Sequence, residues 1–412
     1  MSIEVYVFAD WEEFKKPALI GTLRSDIARG KEHFSFSYDE EWLQSKFVQQ
    51  IDPELQLYTG DQHSHEQHNF RVFLDSCPDR WGRLLMKRRE AVYARQHGRK
   101  AKVLTEIDYL LGVHDMYRMG ALRFKLNLDG DFLDNNENLA APPITSLREL
   151  EHAAQQVEDA QDLDDPDYLK WLNMLISPGS SLGGARPKSC VVDNEGCLWI
   201  AKFPSRHDDY DIGAWEYVAY QLALDAGINM SECRLERFAS PYNTFLTRRF
   251  DRTPESRLHF TSALTQLGYY DGEEDVSYLE LAQFLTEHGS NTKEDLAELW
   301  RRIVFNIAVS NTDDHLRNHG FIYHKGGWLL SPAYDINPVT PAHGLHLNIS
   351  ENDNSLSYDL AMEVIHFFQL DEAKAEQIKN KVLTSVSNWE TVTAKVGLSR
   401  AEQQAMAPAF NV

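Results

Sequence analysis

Residues 311–335, NTDDHLRNHGFIYHKGGWLLSPAYD, restrict what this chain can fold into more than any other stretch. Two short apolar runs, FIYH and WLLS, flank the turn KGG, a pattern that reads as a β-hairpin. A hairpin returns the chain to its starting point, so the polar groups before and after it meet at one end. Before it stand Asp313, Asp314, His315, Arg317 and Asn318; after it stands Asp335. Amide and carboxylate oxygens gathered this way suit magnesium, a hard cation that shares its coordination sphere with phosphate oxygens and water.

Asp313 and Asn318 are five positions apart, the D-x-x-x-x-N spacing of a kinase catalytic loop. In that chemistry the Asp accepts or orients the proton of a substrate hydroxyl and the Asn holds a magnesium ion. The spacing alone arises often by chance. The hairpin and the second acid make it more specific.

A second segment completes the pattern. SSLGGARPK, Ser180 to Lys188, sets two hydroxyls, two glycines and a lysine in a turn. Glycines let successive backbone N–H groups converge on an anion. Because the lysine does not directly follow the second glycine, this is not a Walker A loop. WIAKFP then places Lys202 in an apolar strand, unusual unless its ammonium meets an anion. Glu216 follows on a helix, as does the acid that pairs with a strand lysine in kinases. Taken singly, Lys202 reads as a snorkelling edge residue and Glu216 as plain helix surface. In this order, ahead of the D-x-x-x-x-N loop, the joint reading is favoured.

The chain has 412 residues, 42% hydrophobic and 25% charged, a globular balance with room for two or three domains. No apolar run is long enough to span a bilayer, and the first residues lack a signal-peptide pattern. Cys77, Cys190, Cys197 and Cys233 form no CxxC pair. A reduced, cytoplasmic protein is expected. The net charge of −22 makes it a poor non-specific DNA binder; it suits a basic partner or simply solubility.

LDGDFLDNNENLAAPP, Leu128 to Pro143, reads as a linker. The expected division is therefore an N-terminal subdomain over 1–127, a linker over 128–145, a small lobe over 146–254 and a helical lobe over 255–412. Within these, strands are expected at Val5 to Ala9, His33 to Ser37, Lys188 to Val192, Cys197 to Phe203, Arg234 to Phe238 and Thr244 to Phe250. Helices are expected from Asp79 to Ala94, from Ser146 to about Gln161, and over DIGAWEYVAYQLALDAG, closed by Gly227. Thr292 with Asp295 suits an N-cap, and Ser399 with Glu402 a capping box.

In this order SSLGGARPK, WIAKFP, RRFDR, NTDDHLRNHGF and SPAYDINP resemble the HipA family of bacterial toxin kinases, as do DSCPDRWGRLL and MYRMGALRF nearer the start. The resemblance covers nearly the whole chain. It implies an α+β, two-lobed protein-kinase-like fold with an added N-terminal subdomain and a mostly helical C-terminal lobe. It also implies ATP- and Mg2+-dependent phosphorylation of a protein serine or threonine. The best-known relatives act on an aminoacyl-tRNA synthetase and are neutralised by a small helix-turn-helix antitoxin of HipB type, through which DNA is reached only indirectly.

Carried over residue by residue, Gly183, Gly184, Ala185, Arg186, Pro187 and Lys188 match the phosphate loop, and Lys202 the ATP-binding lysine, with Glu216 as its partner. Arg248, Arg249 and Phe250 match the segment whose backbone holds adenine, and Asp251 follows near the ribose. Asp313 matches the catalytic base, His315 and Arg317 residues lining the nucleotide, and Asn318 and Asp335 the magnesium ligands. Ser181 falls on the autophosphorylated serine, with Ser180 its near rival. ARP replaces Ala-Gln-Glu of the best-known member, and Arg248 stands where that member has an acid. Since the adenine contact there runs through backbone, ATP binding is expected to survive.

Other features fit blander readings. His63, His65 and His68 in QHSHEQH suggest a metal less than an exposed loop. The basic run Lys87 to Lys102 could touch a tRNA-bound substrate or DNA phosphate, but a solvated helix face is the favoured reading. Phe367 and Phe368 are expected in the core. A small-molecule phosphotransferase and an inactive kinase-fold co-repressor remain as alternatives.

Overall fold

The computed structural model describes residues 2–65, 68–136, 140–159, 167–176, 184, 186–273 and 275–412. The chain forms two compact units. One comprises Met1–Arg206 with Asp251–Thr261, the other His207–Phe250 with Ser262–Val412.

The first unit is built on a five-stranded sheet. Strand β1 (Ser2–Ala9) alternates, with Val5, Val7 and Ala9 buried, as a strand with one covered face must. It pairs antiparallel with β2 (Ala18–Ala28) and with β5 (Leu122–Lys125); β3 (Lys31–Tyr38) and β4 (Gln62–His63) complete the order β4-β3-β2-β1-β5. Phe36, Phe70, Phe73 and Phe124 pack under it, ring against ring. Arg118 has no exposed surface, yet its guanidinium donates to the carbonyls of Ser76, Leu110, Val113 and Leu133. A buried cation with that many partners ties several loops into one body. Helix α1 (Arg80–Gln96) starts where Asp79 accepts from Gly82 N–H at 2.8 Å, an N-cap. Hairpin β6 (Lys188–Val192) and β7 (Leu198–Lys202) turns at Asp193, whose carboxylate accepts from the Glu195 and Cys197 N–H groups.

The second unit is mostly helical around one continuous apolar core running from Ala214 to Ala409. Helix α2 (Ile212–Ala226) ends at Gly227 in the left-handed conformation, φ 84°. Hairpin β8 (Cys233–Glu236) and β9 (Thr244–Arg248) follows. Helices α3 (Tyr278–His288), α4 (Thr292–Val309) and α5 (Glu372–Val386) form the body. Between α4 and α5 lies the hairpin of β10 (Gly320–His324) and β11 (Gly327–Leu330), paired from Phe321↔Leu330 to His324↔Gly327. Its tip, Lys325 and Gly326, has positive φ at both positions, the type I′ geometry that matches strand twist.

Two expectations differ in detail. Helix α4 is preceded by Asn291 rather than capped by Thr292. The Thr292 hydroxyl donates instead to Leu285 O at the end of α3, and Asp295 accepts from Leu330 N–H, so tertiary partners take both groups. Phe368 is buried but its neighbour Phe367 is 45% exposed, because a short 3-10 turn points successive side chains in different directions. The box at Ser399 and Glu402 forms as read. Among the described residues no helix is long and apolar enough to cross a membrane.

Candidate active site

Helix α4 ends at Ser310, a non-glycine residue in the left-handed region (φ 51°, ψ 47°). Such a conformation persists where surroundings enforce it. Here Asn411 donates to Ser310 Oγ at 2.9 Å and to Ile307 O at 2.8 Å, filling acceptors at the helix end. The chain then turns sharply into 311–319.

Within that loop the two aspartates face opposite ways. Asp313 is exposed; Asp314 is 4% exposed. Asp314 Oδ2 accepts from Tyr278 OH at 2.5 Å and Asn306 Nδ2 at 2.7 Å, and lies 2.9 Å from His319 Nε2. Burial pushes its carboxyl up, but neighbouring His319 and these donors outweigh it and hold the group below the usual carboxylate value. Burial, together with the same contact to Asp314, drives the Tyr278 hydroxyl well above its ordinary range.

Asn318 is fixed by its own amide: Nδ2 donates to the Asp313 carbonyl at 2.9 Å. Its Oδ1 is buried and has no hydrogen-bond partner among the described residues. An orphaned buried acceptor is costly unless something else uses it. Across the hairpin, Ser331 N–H meets Gly320 O at 2.9 Å, and Tyr334 OH donates to Arg317 O at 2.7 Å. The residue before Asp335 thus touches the residue before Asn318. Asp335 itself has φ 60°, a conformation aspartate tolerates better than most residues. One amide oxygen and one carboxylate fit magnesium, which keeps waters and phosphate oxygens for its remaining positions. Among the described residues no cluster of three His, Cys, Asp or Glu groups could hold an ion by itself. His63, His65 and His68 are exposed.

His315 and Arg317 line the same loop, half-buried; the His315 ring meets His346 edge-on at 5.8 Å, and Arg317 Nε donates to Asp271 at 3.3 Å. Phe250 stacks on Tyr334 with centroids 5.6 Å apart. One tyrosine therefore joins the RRF segment, the D-x-x-x-x-N loop and the Asp335 segment. Its only sequence signal was adjacency to Asp335. Arg249 and Glu216 are buried, while Arg248 is half-exposed, its N–H on Glu232 O at 2.8 Å.

The first unit holds the lysines. Lys188 and Lys202 are directly opposed in the β6–β7 register. Like charges facing each other across a strand pair repel. Lys188 is 5% exposed and forms an ion pair of 2.7 Å with Asp79, while Lys202 is half-buried. Trp81 Nε1 donates to Lys188 O at 3.1 Å, so the DSCPDRWGRLL segment grips the strand by charge and by backbone. Gly184 has φ 94°, and a Cβ there would come 3.3 Å from the Lys188 ammonium. Arg186 is half-buried, and Pro187 O accepts from Phe203 N–H at 2.9 Å. Ser180, Ser181, Gly183 and Ala185 lie outside the described residues.

Residues 180–391 match the family model described as the HipA-like C-terminal domain. The chain belongs to that family. The HipA-like match includes every motif from SSLGGARPK to SPAYDINP. Among curated proteins the chain is 28% identical over 186 residues to one named "Putative kinase" from Haemophilus influenzae, covering 40% of this chain and 54% of the relative. It is 28% identical over 163 residues to "Putative kinase Y4dM" of Sinorhizobium fredii, covering 36% and 39%. The chain thus spans about half the length, or less, of these relatives. A solved structure of the Shewanella oneidensis toxin–antitoxin system HipA, HipB and its operator DNA shares the fold, at a TM-score of 0.64 and 16% identity over 98% of this chain and 94% of that one. The architecture is thus the α+β, two-lobed HipA-like kinase fold.

The side chain of Asp251, the residue expected near the ribose, has no exposed surface; it accepts from Gly120 N–H at 2.8 Å and from Arg252 Nη1 at 2.7 Å. A buried carboxylate is stabilised by donors of this kind. Asp251 joins RRFDR to the MYRMGALRF segment, a contact the separate motifs did not suggest. In the basic run, Arg99 pairs with Glu90 and Lys102 with Asp108, so part of that charge is locally neutralised.

Proposed function

We propose that this HipA-like chain is an ATP- and Mg2+-dependent serine/threonine protein kinase, the toxin half of a toxin–antitoxin pair. The observation that carries this reading is the contrast inside one loop. Asp313 presents an exposed carboxylate while its backbone carbonyl is tied to Asn318, and the buried amide oxygen of Asn318 has no hydrogen-bond partner among the described residues.

In the proposed reaction a serine or threonine hydroxyl oxygen forms a bond to the γ-phosphorus of ATP as the bond to the β-phosphate oxygen breaks. ADP leaves, and the hydroxyl proton passes to the Asp313 carboxylate. Asn318 Oδ1 and Asp335 would hold magnesium, which supplies charge neutralisation at the phosphates when bound. Lys202 and the N–H groups of 183–186 would meet phosphate oxygens, and the backbone of Arg248 to Phe250 the adenine. Lys188, already paired with Asp79, would anchor the base of the phosphate loop.

The proposed substrate class is a cytoplasmic protein, with an aminoacyl-tRNA synthetase as the first candidate, together with the chain itself at Ser181. A phosphate at Ser181 would bring about −1.5 to −2 charges beside the glycines meant for ATP and compete with it. The proposed partner is a DNA-binding antitoxin of HipB type. A net charge of −22 favours reaching DNA through such a partner over direct contact.

Incubation with magnesium and labelled ATP, with and without lysate, tests the reading. Labelled protein bands support it, and mass spectrometry should find phosphate at Ser181. A labelled small molecule alone points to a small-molecule phosphotransferase; no transfer to any acceptor overturns kinase activity.

A further inference from the structure

The loop contains two residue pairs at the same spacing of five: Asp313 with Asn318 and, one step on, Asp314 with His319. The first pair does the proposed chemistry. The second pair points inward, Asp314 4% and His319 2% exposed, with Nε2 2.9 Å from the carboxylate. That contact closes residues 314–319 into a ring through their side chains.

The ring is bolted to two helices and to the far side of the hairpin. Tyr278 begins α3 and Asn306 lies in the last turn of α4; both donate to the Asp314 oxygen that faces His319. Asn306 Oδ1 accepts from Asn311 Nδ2 at 3.1 Å, and Asn311 Oδ1 from Asn337 N–H at 3.3 Å, two residues past Asp335. Asp313 and Asn318 each sit one residue before a member of this clasp. Adjacent Cα atoms are about 3.8 Å apart, so fixing Asp314 and His319 fixes where the preceding side chains begin.

We propose that Asp314 and His319 are positioning residues, a buried clasp that sets the separation and aim of Asp313 and Asn318. This inference rests on the phosphotransfer reading of Asp313 and Asn318. Charge-assisted hydrogen bonds between buried groups are strong and directional. Loss of one leaves the loop attached but free to shift by a fraction of its length. A misplacement near 1 Å costs about 10²-fold in rate.

The test uses the full chain and compares Asp314→Asn, His319→Gln and His319→Leu with the unaltered protein. Asparagine nearly keeps the shape of Asp314 but loses its charge; glutamine keeps an N–H donor where leucine keeps none. Mg-ATP turnover should lose about 10- to 100-fold in kcat for Asp314→Asn and His319→Leu, with the KM for ATP within about twofold and much of kcat recovered in His319→Gln. Unchanged kcat in a folded Asp314→Asn or His319→Leu overturns the clasp. So does equal loss in His319→Gln and His319→Leu, or unfolding of both Asp314→Asn and His319→Gln, which would make the pair mere core. Hydrogen exchange gives a readout independent of activity. Amides of 311–319 should exchange faster in Asp314→Asn while those of α3 and α4 stay protected. Unchanged loop protection overturns the clasp even if the unaltered protein turns over no ATP, an outcome that by itself sinks only the kinase reading.

Discussion

Lys188 and His319 each stand at the end of a polar motif, and each turns its nitrogen onto a buried carboxylate, 2.7 Å away at Asp79 and 2.9 Å away at Asp314. The two anchors are recruited differently. Asp314 lies five positions from its partner. The grip on Lys188 comes from a remote helix start, where Trp81 reaches the Lys188 carbonyl across 107 positions. A local clasp can form as soon as its own loop turns. A remote one exists only after the N-terminal subdomain has folded, so the geometry at the foot of the phosphate loop depends on that subdomain's stability.

The largest expected effect separates chemistry from anchoring. Asp313→Ala should lose about 10²–10⁴ in phosphoryl transfer yet keep its melting temperature and its stabilisation by Mg-ATP, since an exposed base supports nothing in the fold. A large loss of stability would erase the distinction between Asp313 and the buried anchors. Next comes the remote grip. Asp79→Ala removes the carboxylate of a buried ion pair with Lys188 and should cost about 3–5 kcal/mol in denaturant unfolding. Adding Lys188→Met should restore part of that, because the pair is then removed together. If the double variant is the less stable one, Asp79 acts through its helix cap alone.

How much of this was readable in advance follows the same division. The β10–β11 hairpin, the Gly227 stop and the Ser399 capping box are local patterns, and each forms as its residues dictate. The inward turn of Asp314 was not legible, because its partners Tyr278 and Asn306 belong to other helices. The Asp251 contact was hidden for the same reason: its partner Gly120 is 131 positions away. Thr292 and Asp295 carried a sound capping pattern that tertiary acceptors and donors overrode.

Two smaller effects sharpen the contrast further. Asp335→Asn should reduce the thermal shift produced by Mg-ATP while leaving that of the apoprotein unchanged; equal shifts would make Asp335 a turn residue only. The smallest concerns Asp52 in the first unit, whose carboxyl burial pushes from 3.8 to about 6 despite N–H donors from Val72 and Glu54. The folded state then binds a proton that the unfolded chain has released, so this group's contribution to stability falls as pH rises from about 4 to about 6. Asp52→Asn should flatten the unfolding free energy across that window. An unchanged slope would assign it to other groups.

The first unit is not continuous in sequence: its last piece, Asp251–Thr261, follows a stretch belonging to the second unit. That piece carries Asp251 for Gly120, Arg257 for Asp115, and His259, which stacks on Trp11 at 4.6 Å. During synthesis the N-terminal body therefore waits, with those sites open, until the ribosome has released residue 261. By then His207–Phe250 has already emerged. Nascent chains stalled shortly before residue 251 would present an N-terminal body still open to chaperones and proteases, and those released past 261 a closed one.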